Sequence, residues 1–183
     1  MTRRVHRSLL VGLTMVVTGF TVAACGSVEN PGRTFPVASV GPGTTVTLAV
    51  NQTRTELVRV LETQTLQLID TQVVIRKAES PLLVVAPRAV YQVLLPKDPA
   101  KGFIVVYEFN DPARAAAAAA EQQASLGTGP GRVQTPQGTV TILRQVGSTV
   151  VWYDWLPNAS QDPSAAGIQT ALESLGIGFP IPN

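Results

Sequence analysis

The sequence predicts a single α+β domain, in which an antiparallel sheet of four or five strands carries two or three helices mainly on one face. Three observations indicate this fold. A strand-to-helix unit occurs twice in the second half of the chain, tight turns join neighbouring apolar stretches, and prolines limit other apolar stretches to strand length. A parallel α/β sheet is the alternative, but the short connections at 96–102 and 147–148 favour antiparallel neighbours.

The first half of the domain is predicted to contain one helix and several short strands. Leucines and valines between positions 53 and 69 follow the spacing of one helix face. Apolar stretches follow at 73–75, 82–85 and 90–95, and we interpret them as strands, at most two of them central, because prolines separate them. Alternation with threonine over 46–50 predicts an edge strand before the helix.

The second half is predicted to be a duplicated helix-plus-hairpin unit. Each copy has a strand, an Asp-Pro pair, a helix and a glycine, and the copies lie at 105–127 and 151–176. The aspartate can cap free backbone N–H groups, proline suits the first helical position, and glycine suits the position after the last turn. Between the two helices, 140–145 and 149–155 are typical of a β-hairpin with a tight turn.

The first 25 residues have the layout of an export signal. Three arginines and an apolar stretch over 9–22 precede the ending Val-Ala-Ala-Cys. This ending resembles the lipobox of bacterial lipoproteins, and the resemblance implies cleavage after residue 24 and lipid attachment at Cys25. We therefore expect an exported protein that is anchored to a bacterial membrane by N-terminal lipid. An ordinary signal peptide, or an N-terminal anchor helix that contains a cysteine, is the alternative.

The chain is accordingly expected to have four parts. Residues 1–24 form a lipoprotein signal peptide, and 25–50 form a lipidated N-terminus with a flexible tether, because turn-forming residues dominate there. The α+β domain covers 51–176, and a C-terminal tail covers 177–183.

The composition excludes several classes of function. Three of the 14 Lys and Arg residues lie in the export signal, so 11 basic side chains remain against 12 acidic ones, with no basic cluster for nucleic acid. The one histidine, His6, lies in the signal, and the one cysteine is the expected lipid site. Histidine-dependent catalysis, thiol chemistry and the usual zinc sites are therefore excluded from the domain, and we expect no cofactor or metal.

Two acidic residues are candidates for chemistry. Glu108 and Asp154 occupy equivalent positions in the two copies of the unit, and they would share a face if their strands pair. Two neighbouring carboxylates can act as acid and base, and Arg144 could assist them. Solvent-exposed positions at the strand ends are the alternative interpretation.

A second candidate is an apolar surface. If the helices cover one face of the sheet, alternation leaves four apolar residues on the other face, namely Ile104, Val106, Val150 and Trp152. Either the tether or the tail at 179–182 seals this face, or the face is exposed and binds an envelope protein or a small apolar ligand.

The order of elements over 53–176, with a Val-Tyr-Glu-Phe strand before an alanine-rich helix, is similar to that of small uncharacterised bacterial lipoproteins and secreted proteins. The resemblance implies no catalytic residues, and the chain departs from it at Thr135–Gly138, where an aromatic-rich segment would be expected. We therefore expect a membrane-anchored envelope lipoprotein that acts as a non-catalytic binding or interaction module. The alternative is a hydrolase-like enzyme that uses Glu108 and Asp154.

Overall fold

The computed structural model describes residues 47–181, which form six strands and five α-helices, with a short 3₁₀ turn at Pro157–Ala159. The strand order is β1-β2-β3-β5-β4-β6, and every neighbouring pair is antiparallel, which confirms an α+β fold with an antiparallel sheet. The sheet has six strands where four or five were expected. In chain order the elements are α1 (Leu48–Glu62), β1 (Leu68–Asp70), α2 (Pro81–Val85), β2 (Arg88–Val93), β3 (Phe103–Glu108), α3 (Pro112–Gly127), α4 (Pro130–Gln134), β4 (Val140–Val146), β5 (Thr149–Trp155), α5 (Ala165–Glu173) and β6 (Ile177–Gly178).

The helices pack on both faces of the sheet, so the prediction of helices mainly on one face is wrong. We call the face covered by α1 and α5 the first face, and the face covered by α2 and α3 the second face. The strand order explains this arrangement. Helix α3 connects β3 to β4 across β5, and α5 connects β5 to β6 across β4. Because β3 and β5 are antiparallel and both crossovers move toward the same edge, right-handed connections place the two helices on opposite faces.

The pairing register of β3 and β5 decides which of their residues share a face. Val106 lies opposite Val151, and Val105 lies opposite Trp152. Directly opposed residues point to the same side of a sheet. The first face therefore carries Ile104, Val106, Val151 and Tyr153, and the second face carries Val105, Tyr107, Val150 and Trp152.

Four features of the first half differ from the prediction. The first helix, expected over 53–69, ends at Glu62, and Leu68 and Ile69 belong to β1. Residues 82–85 belong to α2, because Pro81 occupies the first helical turn, where its missing N–H has no cost. Residues 73–75 have no regular structure. Helix α1 already begins at Leu48, since the Thr47 hydroxyl accepts a hydrogen bond from the N–H of Val50 at 3.3 Å. The predicted edge strand over 46–50 is therefore wrong for its described residues.

The second half has the predicted elements, although α5 begins at Ala165 and not at the predicted Asp162-Pro163 pair. Asp111 caps α3 by accepting a hydrogen bond from the N–H of Arg114 at 2.8 Å. The hairpin joins β4 and β5 through Gly147, whose φ of 57° suits glycine in a tight turn. Residues 177–178, expected in the tail, instead form the edge strand β6. Within residues 47–181, no helix is long and apolar enough to cross a membrane.

Candidate functional site

Strand β4 forms an edge of the sheet that is only partly paired. Strand β6 pairs with Arg144 and Gln145, so among residues 47–181 no strand lies beside 140–143 on that side. The N–H of Phe179 still donates to the carbonyl of Leu143 at 3.0 Å. Beyond Phe179, the described residues Pro180 and Ile181 make no further backbone hydrogen bond to β4, so the pairing ends there.

The open part of this edge presents backbone hydrogen-bonding groups. The carbonyl of Leu143 points away from β5, since it accepts its bond from Phe179. In an antiparallel strand the N–H and C=O of one residue point to the same side, and this direction alternates along the chain. The N–H and C=O of Thr141 therefore also point outward, toward the place that an added strand would occupy.

A groove of about 1180 Å³ runs along this edge. Residues of β4 line it together with the loop at 135–139 and the C-terminal segment at 178–181. Arg132, Gln169 and Glu173 add polar side chains of both charge signs. The groove thus combines an open strand edge with apolar surface and a few polar groups, as peptide-binding grooves do.

The C-terminal wall of the groove is held in place by side-chain hydrogen bonds. Arg144 donates through Nε to the carbonyl of Leu175 at 2.6 Å and through an Nη to that of Gly176 at 3.2 Å. Gln123 donates to the carbonyl of Pro180 at 2.6 Å. Arg144 therefore positions β6, and it does not assist a carboxylate pair as the sequence suggested.

Glu108 and Asp154 do not form a pair. Glu108 lies opposite Thr149 at the start of β5, whereas Asp154 lies opposite Thr141 near the end of β5. They also lie on opposite faces, because the side chain of Glu108 follows Val106 and that of Asp154 follows Trp152. The prediction that the two carboxylates share a face is wrong. The enzyme interpretation was based on that proximity, so it no longer has a supporting observation.

Asp154 pairs instead with Lys77, from the irregular segment between β1 and α2. The Lys77 side chain is only 6% exposed, and its Nζ lies 5.4 Å from the ring centroid of Trp152. Burial lowers the pKa of Lys77, although Asp154 opposes this shift.

A second buried ion pair lies on the same segment. Glu79 is 3% exposed, pairs with Arg88 and accepts a hydrogen bond from the Tyr107 hydroxyl at 2.8 Å. Burial, together with the hydrogen bond to Glu79, raises the pKa of Tyr107. Both ion pairs attach the segment to the second face, and no sequence motif indicated them, because a short run of charges is usually solvated.

The four residues of the predicted apolar surface are all buried, and they lie on two different faces of the sheet. Ile104 and Val106 are buried under the helices of the first face, and Val150 and Trp152 are buried on the second face. The prediction is wrong because it assumed a register shifted by one residue, which moves every side chain to the other face. Phe179 and Ile181 do pack against the second face, so the tail covers part of it as one alternative proposed.

Cys25 lies outside the described residues. The sequence did not indicate the open edge of β4, because this edge depends on where the short strand β6 pairs and no local motif marks that position. In comparisons with known proteins, no family model, curated protein or solved structure matches the chain.

Proposed function

We propose that this protein is an exported, lipid-anchored envelope lipoprotein whose domain binds an extended peptide segment of another envelope protein without catalysis. The anchor rests on the N-terminal sequence, where an apolar stretch ends in Val-Ala-Ala-Cys. The binding function rests on one observation, the open edge of β4 along a groove of about 1180 Å³.

An extended peptide fits this groove because the chain already uses the same edge for strand pairing. Strand β6 pairs antiparallel with Arg144 and Gln145, and Phe179 continues the pairing by one bond. The outward backbone groups of Thr141 provide the next pair of hydrogen bonds in the same direction. Strand addition gives affinity through the main chain, and the side chains around the groove select alternate residues of the peptide.

The proposal is tested with peptides selected from a random library on the full-length protein in detergent micelles. Thr141→Pro removes the outward N–H without removing a bond to β5, and it should abolish binding of the selected peptides. Thr141→Ala is the matched control, because it changes the same side chain and keeps the outward N–H. Fluorescence anisotropy with labelled peptides measures both affinities.

Methylation of peptide nitrogens identifies the binding mode. In an added strand only every second N–H faces β4, so methyl groups on that set should abolish binding. Methyl groups on the other set should change the affinity little. Equal effects of the two sets, or retained binding by Thr141→Pro, would contradict strand addition. If a second copy of the chain is the occupant, dimers that depend on Thr141 should appear in analytical ultracentrifugation.

A further inference from the structure

We infer that a second cavity, at the end of the sheet where β5 finishes, binds a small monocarboxylate through Lys77. The cavity has a volume of about 260 Å³ and contains three charged side chains, Lys77, Lys101 and Asp154. The inference does not depend on the peptide groove. Apolar side chains form much of the remaining lining, among them Ile75, Leu95, Phe103 and Leu156.

The buried ammonium of Lys77 has more donors than partners. Lysine carries three N–H donors, and one of them donates to Asp154. The ring of Trp152 lies beside the group, and the described residues supply no further acceptor. Burial of an ammonium costs free energy unless its N–H groups donate hydrogen bonds. Because Lys77 is buried and lines the cavity, an acceptor inside the cavity would take a hydrogen bond from one of its remaining N–H groups.

The net charge of the cavity lining favours an acceptor with a single negative charge. Lys77 and Lys101 together carry two positive charges, and Asp154 carries one negative charge. A single carboxylate therefore makes the site neutral, and its two oxygens can accept from both lysines. The apolar lining favours a hydrocarbon body attached to that carboxylate. A dicarboxylate would place its second charge near Asp154 or against apolar side chains.

The probe is cyclohexanecarboxylate, and its uncharged amide is the control ligand of nearly the same shape. Calorimetric titration of the full-length protein in detergent micelles, with protein-free micelles as the blank, measures both affinities. The acid should bind at least about tenfold more tightly than the amide, because only the acid forms charge-assisted bonds with lysine.

Substitutions locate the site. Lys77→Met should weaken binding of the acid by about tenfold or more through loss of a charged hydrogen bond. Lys101→Met should also weaken it, and because Lys101 is exposed this variant does not depend on the fold tolerating a change at Lys77. Lys97→Met is the matched control, since Lys97 is exposed, lies outside the cavity and should leave the affinity unchanged.

Three results would each overturn the inference. The first is equal affinity for the acid and the amide, and the second is no binding of the acid at millimolar concentration. The third is an affinity for the acid that is unchanged in both single variants, Lys77→Met and Lys101→Met. Loss of peptide binding in Thr141→Pro with unchanged acid binding would separate this cavity from the proposed groove.

Discussion

Lys77 donates a hydrogen bond to Asp154, although 77 residues of chain separate them. The bond joins the irregular segment before α2 to the end of β5. Lys77 is almost fully buried, whereas the Asp154 side chain is 32% exposed. The desolvation penalty therefore falls mainly on the ammonium. Removal of the carboxylate alone should lower the free energy of unfolding more than replacement of both partners by apolar residues.

The variant Asp154→Leu tests this asymmetry. It leaves the Lys77 ammonium buried without its carboxylate, and we expect the free energy of unfolding to fall by about 2 kcal/mol, less than for a fully buried pair. The double variant Lys77→Met with Asp154→Leu should recover most of this loss, because apolar side chains can replace a buried ion pair. Urea denaturation measures both variants, and a double variant no more stable than the single one would contradict the explanation.

Tyr107 makes the protein sensitive to high pH. Its folded-state pKa is raised from the ordinary value of 10.0 by burial and by its hydrogen bond to Glu79. As the pH rises above 10.0, the unfolded chain loses the phenolic proton first, so it binds fewer protons than the folded protein and the free energy of unfolding falls.

The variant Tyr107→Phe should show a shallower fall. Near neutral pH it should be less stable than the natural chain by about 1 kcal/mol, because it lacks the hydrogen bond to Glu79. This difference should shrink as the pH rises above 10.0. Urea denaturation at a series of pH values checks it, and a difference independent of pH would be inconsistent with a raised pKa.

Two glycines near α5 should respond oppositely to alanine. Gly176 has φ +31°, and an added Cβ would lie 1.9 Å from the carbonyl oxygen of Gln145, so Gly176→Ala should displace β6 and cost about 1–3 kcal/mol. In Gly167, inside α5, the nearest atom to an added Cβ is 3.5 Å away. Gly167→Ala should therefore stabilise the protein by about 0.5 kcal/mol, because alanine is the better helix former and Gly167 lies in the first turn of α5. Thermal denaturation compares the two.

Trp152 should act as a core residue and not as a binding anchor. Its side chain is 1% exposed, so Trp152→Ala should lower the free energy of unfolding by about 3–5 kcal/mol. Trp152→Phe is the informative control, because the indole Nε1 has no hydrogen-bond partner among the described residues. Loss of that N–H removes no bond, so the Phe variant should lose much less. A small effect of the alanine variant would restore the surface interpretation.

Cys25 should carry the membrane anchor. Cys25→Ala removes the sulfur that lipid attachment requires, so metabolic labelling with palmitate should mark the natural chain and leave the variant unlabelled. Cys25→Ser is a matched control that keeps a similar side chain but lacks the thiol, and it should also be unlabelled. Equal labelling of natural chain and variants would place the lipid elsewhere.

Local signals in the sequence were sufficient for much of the second half. The Asp-Pro pair at 111–112 predicted the start of α3, because a capping carboxylate and a proline act within one turn. Gly147 predicted the hairpin for the same reason, since a turn depends on its own residues. The same locality explains one error, because Thr47 capped a helix where alternation suggested a strand.

Long-range relationships required the folded chain. Alternation along β3 and β5 is unchanged when one strand slides by a single residue, so the sequence could not show that Val105 lies opposite Trp152. That register buries the predicted surface and separates Glu108 from Asp154. The faces of α3 and α5 depend on strand order, and the burial of Lys77 depends on packing against Trp152. Each of these features arises from contacts between distant segments, which local propensity does not encode.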